Sequence, residues 1–406
     1  MSDRMAIRPT PPDSTKPAPE AEASSASQGG RSSGSEAPNS VPEPGRLFLP
    51  RYVLIAYLLL VIYASLYPFS GWRDQGVAPD AFLFAPMPRY FMIFDIVTNL
   101  VGYFPLGFII VLALHIPQRP LLAIALATLS AVVVSALLEA VQTYLPSRVA
   151  SNLDVICNTA GAFFGALVGA RLAPLLLSER MRSLRGNWLA PGRHADLGLV
   201  LLGLWLLTQA NPALLLFGNG DLRADLGLGL APFSAEGFRD METAIVALNL
   251  IALGALTTLI VCERIYAWAL VSFMVFLTLL AKALASALLF KPENYLVWLT
   301  PGAQDGLTIG MLVLLFLPWL PRGLLAVLAV LLLGGAVLMV NLVPENPYHT
   351  ANLPQWQQGQ FLNFNGATGT VALFWPFGAM VWAASVRRLR KAAERTPDPQ
   401  ATDETS

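Results

Sequence analysis

The stretch LLAIALATLSAVVVSALLEAVQTYLPSR, residues 121–148, decides the fold class of this chain. Residues 121–138 carry no charge, and a run of about 20 apolar residues is what a helix needs to cross the ~30 Å hydrocarbon core of a bilayer. Backbone polar groups in lipid must be satisfied within the segment, so the run is expected to be helical. It therefore predicts a membrane-spanning helix, with Glu139 and Gln142 as polar groups close to its end.

Similar apolar runs recur along the whole chain, which predicts an all-α, polytopic membrane helix bundle. The chain has 406 residues, of which 55% are hydrophobic and 13% charged. An ordinary soluble domain is about 25% charged, so this composition argues against a water-soluble enzyme. Ten spans are expected near 49–68, 94–115, 121–144, 153–175, 197–217, 242–262, 265–290, 303–320, 323–343 and 367–386.

The loop charges predict the orientation of the bundle. Lys and Arg are concentrated in alternate, short loops, which are expected to face the cytoplasm. With ten spans, both termini then lie in the cytoplasm and the longer, aromatic-rich loops face outward. The expected organisation is a disordered Pro/Ser/Ala-rich tail at 1–46, a four-helix membrane domain at 47–180, a related unit at 194–320, two further helices with an aromatic outer loop at 321–390, and a disordered tail at 391–406.

Three polar motifs lie at the expected outward ends of helices in the first half. FDIVTNLVGYFPLG places Asp95 and Asn99 four residues apart, on one helix face. SALLEAVQTYLPSR does the same for Ser135 and Glu139, and SNLDVICNTAG for Asp154 and Asn158. A charged group inside a span costs about 2.5–3.5 kcal/mol even on the lenient insertion scale, so such groups usually have a function. We expect these clusters to line one outward-opening pocket together with Arg148.

The order and spacing of these motifs resemble those of the VanZ-like family of membrane proteins, named after a teicoplanin-resistance protein. The resemblance covers roughly residues 50–175 and rests on D-x3-N-x2-G-Y-x-P-L-G-F, S-x3-E-x2-Q-x2-L-P-S-R and D-x3-N-x2-G. It implies a multi-pass protein of the bacterial inner membrane with a role of the antibiotic-resistance or envelope-homeostasis type. The residues that match the family's polar pattern are Asp95, Asn99, Glu139, Gln142, Arg148, Asp154 and Asn158.

Roles can be assigned to these side chains as hypotheses. Glu139 and Asp154 would be an acid/base or headgroup-orienting pair. Arg148 would pair with Glu139 or hold a phosphate or carboxylate. Asp95, Asn99, Gln142 and Asn158 would complete the substrate-binding surface, unless the amides only join helices and the aspartates only cap helix N-termini.

Two segments of the second half show weak sequence similarity to segments of the first half. NLIALGALTTLIVCE at Asn249 resembles the segment that begins at Asn99, and PGAQDGLTIG around Asp305 resembles the segment around Asp154. A duplicated four-helix unit followed by two extra helices explains both similarities, and chance similarity between apolar segments explains them too. A counterpart of Glu139 is not evident in the second copy, so any chemistry is expected in the first. Lys282 is expected to extend its ammonium outward to the membrane surface, or else to serve as an embedded counter-ion.

The sequence leaves three functions open. One is a protein that binds or modifies an outer-leaflet lipid or lipid-linked glycan. The others are a transporter or flippase of an envelope precursor, and a non-catalytic scaffold that contacts other envelope proteins. Neither a nucleic-acid partner nor a cofactor is expected, because the net charge is zero and no nucleotide, haem or metal motif occurs; two cysteines and three histidines are too few and too scattered for a metal cage.

Overall fold

The computed structural model describes residues 48–227, 234–289, 292–344 and 358–393. The secondary-structure elements in these ranges are all helices. In chain order they are α1 Leu49–Leu66, α2 Ala81–Phe84, α3 Ile93–Leu114, α4 Pro120–Gln142, α5 Asn152–Leu176, α6 Glu179–Trp188, α7 Arg193–Thr208, α8 Arg223–Leu226, α9 Ala235–Ile260, α10 Arg264–Leu289, α11 Pro301–Leu314, α12 Arg322–Leu342 and α13 Gln358–Ala393. Two short 3₁₀ turns, Pro292–Asn294 and Leu317–Trp319, lie before and after α11. The predicted tail at 1–46 lies outside the described residues.

The helices have the lengths and composition of a multi-pass membrane protein. Within the described ranges, nine helices are long and apolar enough to cross a bilayer. They are α1, α3, α4, α5, α9, α10, α11 with the turn that follows it, α12 and the central part of α13. This confirms the predicted all-α bundle. Below, the outer end means the end at which α3, α5, α9 and α11 begin, following the orientation expected from the loop charges.

The fifth expected span, 197–217, is not one continuous helix in the structure. Its helix, α7, has 16 residues, which is roughly 24 Å at 1.5 Å per residue and short of the bilayer core. The helix ends at Thr208 because Pro212 follows closely: proline has no N–H, and it disfavours helical backbone in the residue before it. The chain continues as residues 209–220, called the buried segment below, most of which are buried between the surrounding helices.

Helices α3 and α5 run parallel in close contact because glycine removes the side chain where they meet. A Cβ on Gly161 would lie 2.2 Å from the carbonyl oxygen of Leu100, and one on Gly165 would lie 1.9 Å from that of Phe104. Gly107 contacts Ala162 from the other side in the same way. These contacts show that the glycines spaced four apart on α5 form a helix-packing surface.

Helices α9 and α11 of the second half repeat this arrangement. Gly302, Gly306 and Gly310 of α11 lie directly against α9, and Gly310 contacts Leu250. Leu250 follows Asn249 just as Leu100 follows Asn99, and each leucine lies against a glycine of the neighbouring helix: Leu100 through its backbone at Gly161, and Leu250 through its side chain at Gly310. A duplicated unit would produce this correspondence; the duplication and its boundaries stay a prediction.

Helix α1 joins the two halves, because it packs on α3 and α4 on one side and on α7 and α13 on the other. Near the outer end, the Thr370 hydroxyl of α13 donates to the Tyr63 hydroxyl over 2.7 Å. At the inner end, the Asp196 carboxylate of α7 accepts hydrogen bonds from the backbone N–H groups of Phe48 and Leu49. The N-terminal unit is therefore held against the second half at both ends of α1.

Candidate functional site

The outer ends of α3 and α5 bring the first polar side chains together. Ser151 is the N-cap of α5 and accepts a hydrogen bond from the backbone N–H of Leu153, so Asp154 stands in the first turn of the helix. The N-cap of α5 is therefore Ser151 and not Asp154, whose carboxylate lies near the Asn99 side chain of α3 and interacts with it. Asp95 lies one turn before Asn99, close enough to Asp154 for the two charges to repel each other.

A second layer of hydrogen bonds lies deeper between α3, α4 and α5. Asn158 donates from Nδ2 to the Ser135 hydroxyl over 2.9 Å, and Tyr103 is hydrogen-bonded to the same serine. The Oδ1 atom of Asn158 is buried without a partner among the described residues. Asp95, Asn99, Tyr103, Ser135, Glu139, Asp154 and Asn158 form the polar cluster discussed below.

Glu139 lies beneath the connection between α4 and α5. It is 4% exposed, and its Oε2 accepts a hydrogen bond from the backbone N–H of Ser151 over 2.8 Å. The carboxylate therefore holds the residue that begins α5. It also lies near enough to Asp154 to interact electrostatically with that second carboxylate.

Arg148 and Gln142 contact the end of α1, and no direct ion pair between Arg148 and Glu139 forms in the described structure. Arg148 donates from Nη2 and Nε to the Tyr67 carbonyl over 2.9 and 3.1 Å, and from Nη2 to the Ala64 carbonyl over 3.2 Å. Gln142 donates to the Ser65 carbonyl over 2.8 Å. Burial lowers the pKa of Arg148, and the nearby carboxylates of Glu139 and Asp154 oppose that shift. Both side chains satisfy the free carbonyls of a helix C-terminus.

The loop between α1 and α3 packs against the α4–α5 connection and the start of α5. Gln75 donates to the Thr143 carbonyl over 2.7 Å, and the Arg73 backbone N–H donates to the Tyr144 carbonyl over 3.0 Å. The Asn152 side chain donates to the Ala85 carbonyl over 2.6 Å. The loop is therefore fixed by polar contacts next to the polar cluster.

One side of the polar cluster remains open. Asp95 is exposed, and Asn99 and Asp154 are half-buried. The segment that leads into α3 carries exposed apolar side chains, among them Tyr90 at 94% and Ile93 at 76%. An acidic and amide-bearing surface therefore lies beside side chains suited to a membrane interface. In the described ranges, no three His, Cys, Asp or Glu side chains converge as a metal site.

Sequence reasoning did not assign a role to Tyr103, although Asp95, Asn99 and Tyr103 follow one another at a spacing of four. It also missed Glu242, which is 2% exposed on α9 and accepts a hydrogen bond from the Thr300 hydroxyl over 2.6 Å. Thr300 caps α11, so a buried glutamate holds the cap residue of the glycine-rich helix in both halves. The spacing of Glu139 does not lead to Glu242, because Glu139 lies at the end of the helix directly before α5, whereas Glu242 lies on α9, two helices before α11.

Three further expectations concern isolated residues. Asp305 does not cap α11; it pairs with Arg239 over 2.6 Å. Lys282 does not extend outward: its side chain is completely buried and donates to backbone carbonyls. Of the expected aromatic outer loop, residues 345–357 lie outside the described residues, and the residues from Gln358 onward belong to α13.

Comparison with known proteins gives one result for the N-terminal unit. No curated protein and no solved structure matches the chain significantly. Residues 53–173 match the model of the VanZ/LLP1 family. This stretch contains α3, α4 and most of α1 and α5, and hence the whole polar cluster. The N-terminal half of this multi-pass membrane protein thus contains a VanZ-like domain, which the second half extends.

Proposed function

We propose that the VanZ-like domain binds the headgroup of a cell-envelope lipid or lipid-linked glycan in the outer leaflet of the bacterial inner membrane. The observation that carries the proposal is the open side of the polar cluster. Asp95, Asn99 and Asp154 lie at the outer ends of two tightly packed spans and beside exposed apolar side chains. A lipid headgroup that moves in the plane of the membrane would meet this surface without leaving the leaflet.

The charge of the cluster favours one class of headgroup. Three carboxylates, those of Asp95, Glu139 and Asp154, lie in it, and the guanidinium of the nearby Arg148 is bonded to backbone carbonyls. Carboxylates only accept hydrogen bonds when ionised. The surface is therefore suited to hydroxyl or amine groups, such as those of a glycan or an ethanolamine, and less suited to a bare phosphate.

The roles of the two proposed acid/base residues differ in this account. Asp154 is half-buried on the open side and is the group that would contact the headgroup. Glu139 is buried and already accepts a bond from Ser151, so it acts as a positioning residue for the start of α5. The geometry thus supports binding better than catalysis by this pair.

A crosslinking experiment tests the proposal. Full-length protein is reconstituted in nanodiscs with a diazirine-bearing phosphatidylethanolamine or phosphatidylglycerol, irradiated, and the labelled residues are mapped by mass spectrometry. We expect the ethanolamine lipid to label the α3–α5 region preferentially and Asp154→Asn to reduce that labelling several-fold. Asp305→Asn is the matched control, because Asp305 also lies in the outer part of a glycine-rich helix but is paired with Arg239. Equal labelling of wild type and Asp154→Asn by both lipids would contradict the proposal.

Transport of an envelope precursor is the second candidate function, and the interrupted crossing at α7 favours it. Many transporters bind their substrate at discontinuous membrane helices. The break at Thr208 leaves irregular backbone inside the bundle, which membrane proteins tolerate only where it is buried in protein or lines a cavity. Pro105, in contrast, does not interrupt α3. A scaffold role is the outcome that remains if neither lipid is recognised.

A further inference from the structure

The buried segment, residues 209–220, is held by hydrogen bonds to α12 and α13 and by a bond within the segment itself. Gln209 accepts a hydrogen bond from the Phe217 backbone N–H over 2.9 Å, and the Gly220 backbone N–H donates to the Ala372 carbonyl of α13 over 2.9 Å. Asn341 of α12 donates to the Gly220 carbonyl over 2.8 Å. The segment is therefore a defined structure inside the second half of the chain.

Lys282 of α10 points its ammonium group at this segment. Its Nζ donates to the carbonyls of Asn211 and Leu214 over 2.7 and 2.6 Å, and the side chain is 0% exposed. In the described parts of the chain, no carboxylate forms an ion pair with it. Two carbonyl dipoles stabilise an ammonium group, but they do not neutralise its charge, and a buried charge without a counter-ion is unfavourable.

Unpartnered polar side chains occur on the elements that meet at this segment. Ser286 lies one turn beyond Lys282 on the same face of α10 and is 1% exposed, and its hydroxyl has no partner within the described structure. The side-chain amide of Asn365 is also unpartnered, while the backbone carbonyl of Asn365 accepts a bond from Asn211 over 3.3 Å. Asn219, within the buried segment and 2% exposed, is the third such residue.

We infer that the break of α7 is a binding site for an oxyanion, such as a phosphate group, with Lys282 as its charged ligand. A structural role for Lys282, as a cap on the carbonyls that follow α7, explains its two bonds. It does not explain why a hydroxyl one turn along α10, that of Ser286, and the amides of Asn219 and Asn365 are buried without partners in the described structure. One bound oxyanion would balance the ammonium charge and accept hydrogen bonds from Ser286 and the amide groups.

This site is separate from the polar cluster of the VanZ-like domain. Its residues come from α10, α13 and the buried segment, and none of them belongs to residues 53–173. It also has the opposite charge preference, since it offers a cation and amides where the polar cluster offers carboxylates. The two sites can therefore be tested independently.

The test measures the unfolding temperature of the full-length protein in neutral detergent by tryptophan fluorescence. Potassium phosphate is titrated against potassium chloride at constant ionic strength, and dioctanoyl phosphatidylglycerol is titrated in a second series. A ligand that binds the folded state raises its unfolding temperature in a saturable way. We expect such a rise with free phosphate or with the lipid, and the series that responds identifies the source of the oxyanion.

The variants distinguish this site from other sites. Lys282→Met is expected to abolish the saturable rise, and Ser286→Ala to weaken apparent affinity about tenfold, the size of one lost hydrogen bond to a charged group. Ser286→Ala keeps the test decisive if Lys282→Met does not fold. Asp154→Asn, in the other site, should respond as the wild type does. The inference is wrong if neither titrant gives a saturable rise of the unfolding temperature in the wild type. It is also wrong if Ser286→Ala and every folded Lys282 variant respond as the wild type does.

Discussion

Gly165→Ala is expected to prevent stable assembly of the VanZ-like domain. The new Cβ would lie 1.9 Å from the carbonyl oxygen of Phe104 and 2.8 Å from its carbonyl carbon. Both atoms belong to the backbone of α3, so no side-chain rotation relieves the clash and the two helices must separate. Overpacking typically costs about 1–3 kcal/mol, occasionally more, and a backbone collision belongs at the upper end of that range.

Separation of α3 from α5 would also break the contacts that build the polar cluster. The Asn99 and Asp154 side chains interact across the two helices, so this interaction should be lost together with the packing. The measurement is the yield of monodisperse protein on size exclusion and its unfolding temperature in detergent. Gly102→Ala is the matched control on α3, because a Cβ there meets nothing within 4 Å. Equal stability of the two variants would show that the helices are not in this close contact.

Asp196→Ala is the second substitution with a large expected effect. Asp196 is 2% exposed, pairs with Arg185 and accepts the backbone N–H groups of Phe48 and Leu49 at the start of α1. Removing one partner of a buried ion pair typically costs about 3–5 kcal/mol. Because the Arg185 side chain remains 24% exposed, we expect a loss near 3 kcal/mol, at the lower end of that range.

The neighbouring surface ion pair provides the control for this prediction. Glu179 pairs with Arg182 over 2.9 Å, but the glutamate side chain is 87% exposed. Exposed pairs contribute about 0–1 kcal/mol, so Glu179→Ala should leave the thermal unfolding transition nearly unchanged while Asp196→Ala lowers it by several degrees. Similar transitions for both variants would mean that α7 does not anchor the start of α1.

The sequence was sufficient for the fold class and for every member of the polar cluster except Tyr103. Apolar runs fix the spans because the bilayer requires about 20 helical residues. A spacing of four places Asp95 above Asn99, and Asp154 above Asn158, on one face of each helix. The glycines of α5 indicated close packing, and the structure shows that α3 is the partner.

The contacts of individual side chains could not be predicted in the same way. Arg148 was expected beside Glu139, but the free carbonyls at the end of α1 lie near its guanidinium and accept its hydrogen bonds. Lys282 was expected at the membrane surface because its distance from the helix end allows it; the break of α7 instead supplies carbonyls inside the bundle. Both outcomes depend on where another helix ends in space, and the local pattern does not contain that information.

Identifying the molecules that co-purify with the protein is the most direct test for a specific lipid or glycolipid at the outer ends of α3 and α5. Wild type, Asp154→Asn and Glu139→Gln are purified in mild detergent and examined by native mass spectrometry. The account predicts one discrete lipid or glycolipid on the wild type, its loss from Asp154→Asn and weakened retention by Glu139→Gln. The same bulk phospholipid on all three proteins would contradict it and would leave these carboxylates with a purely structural role.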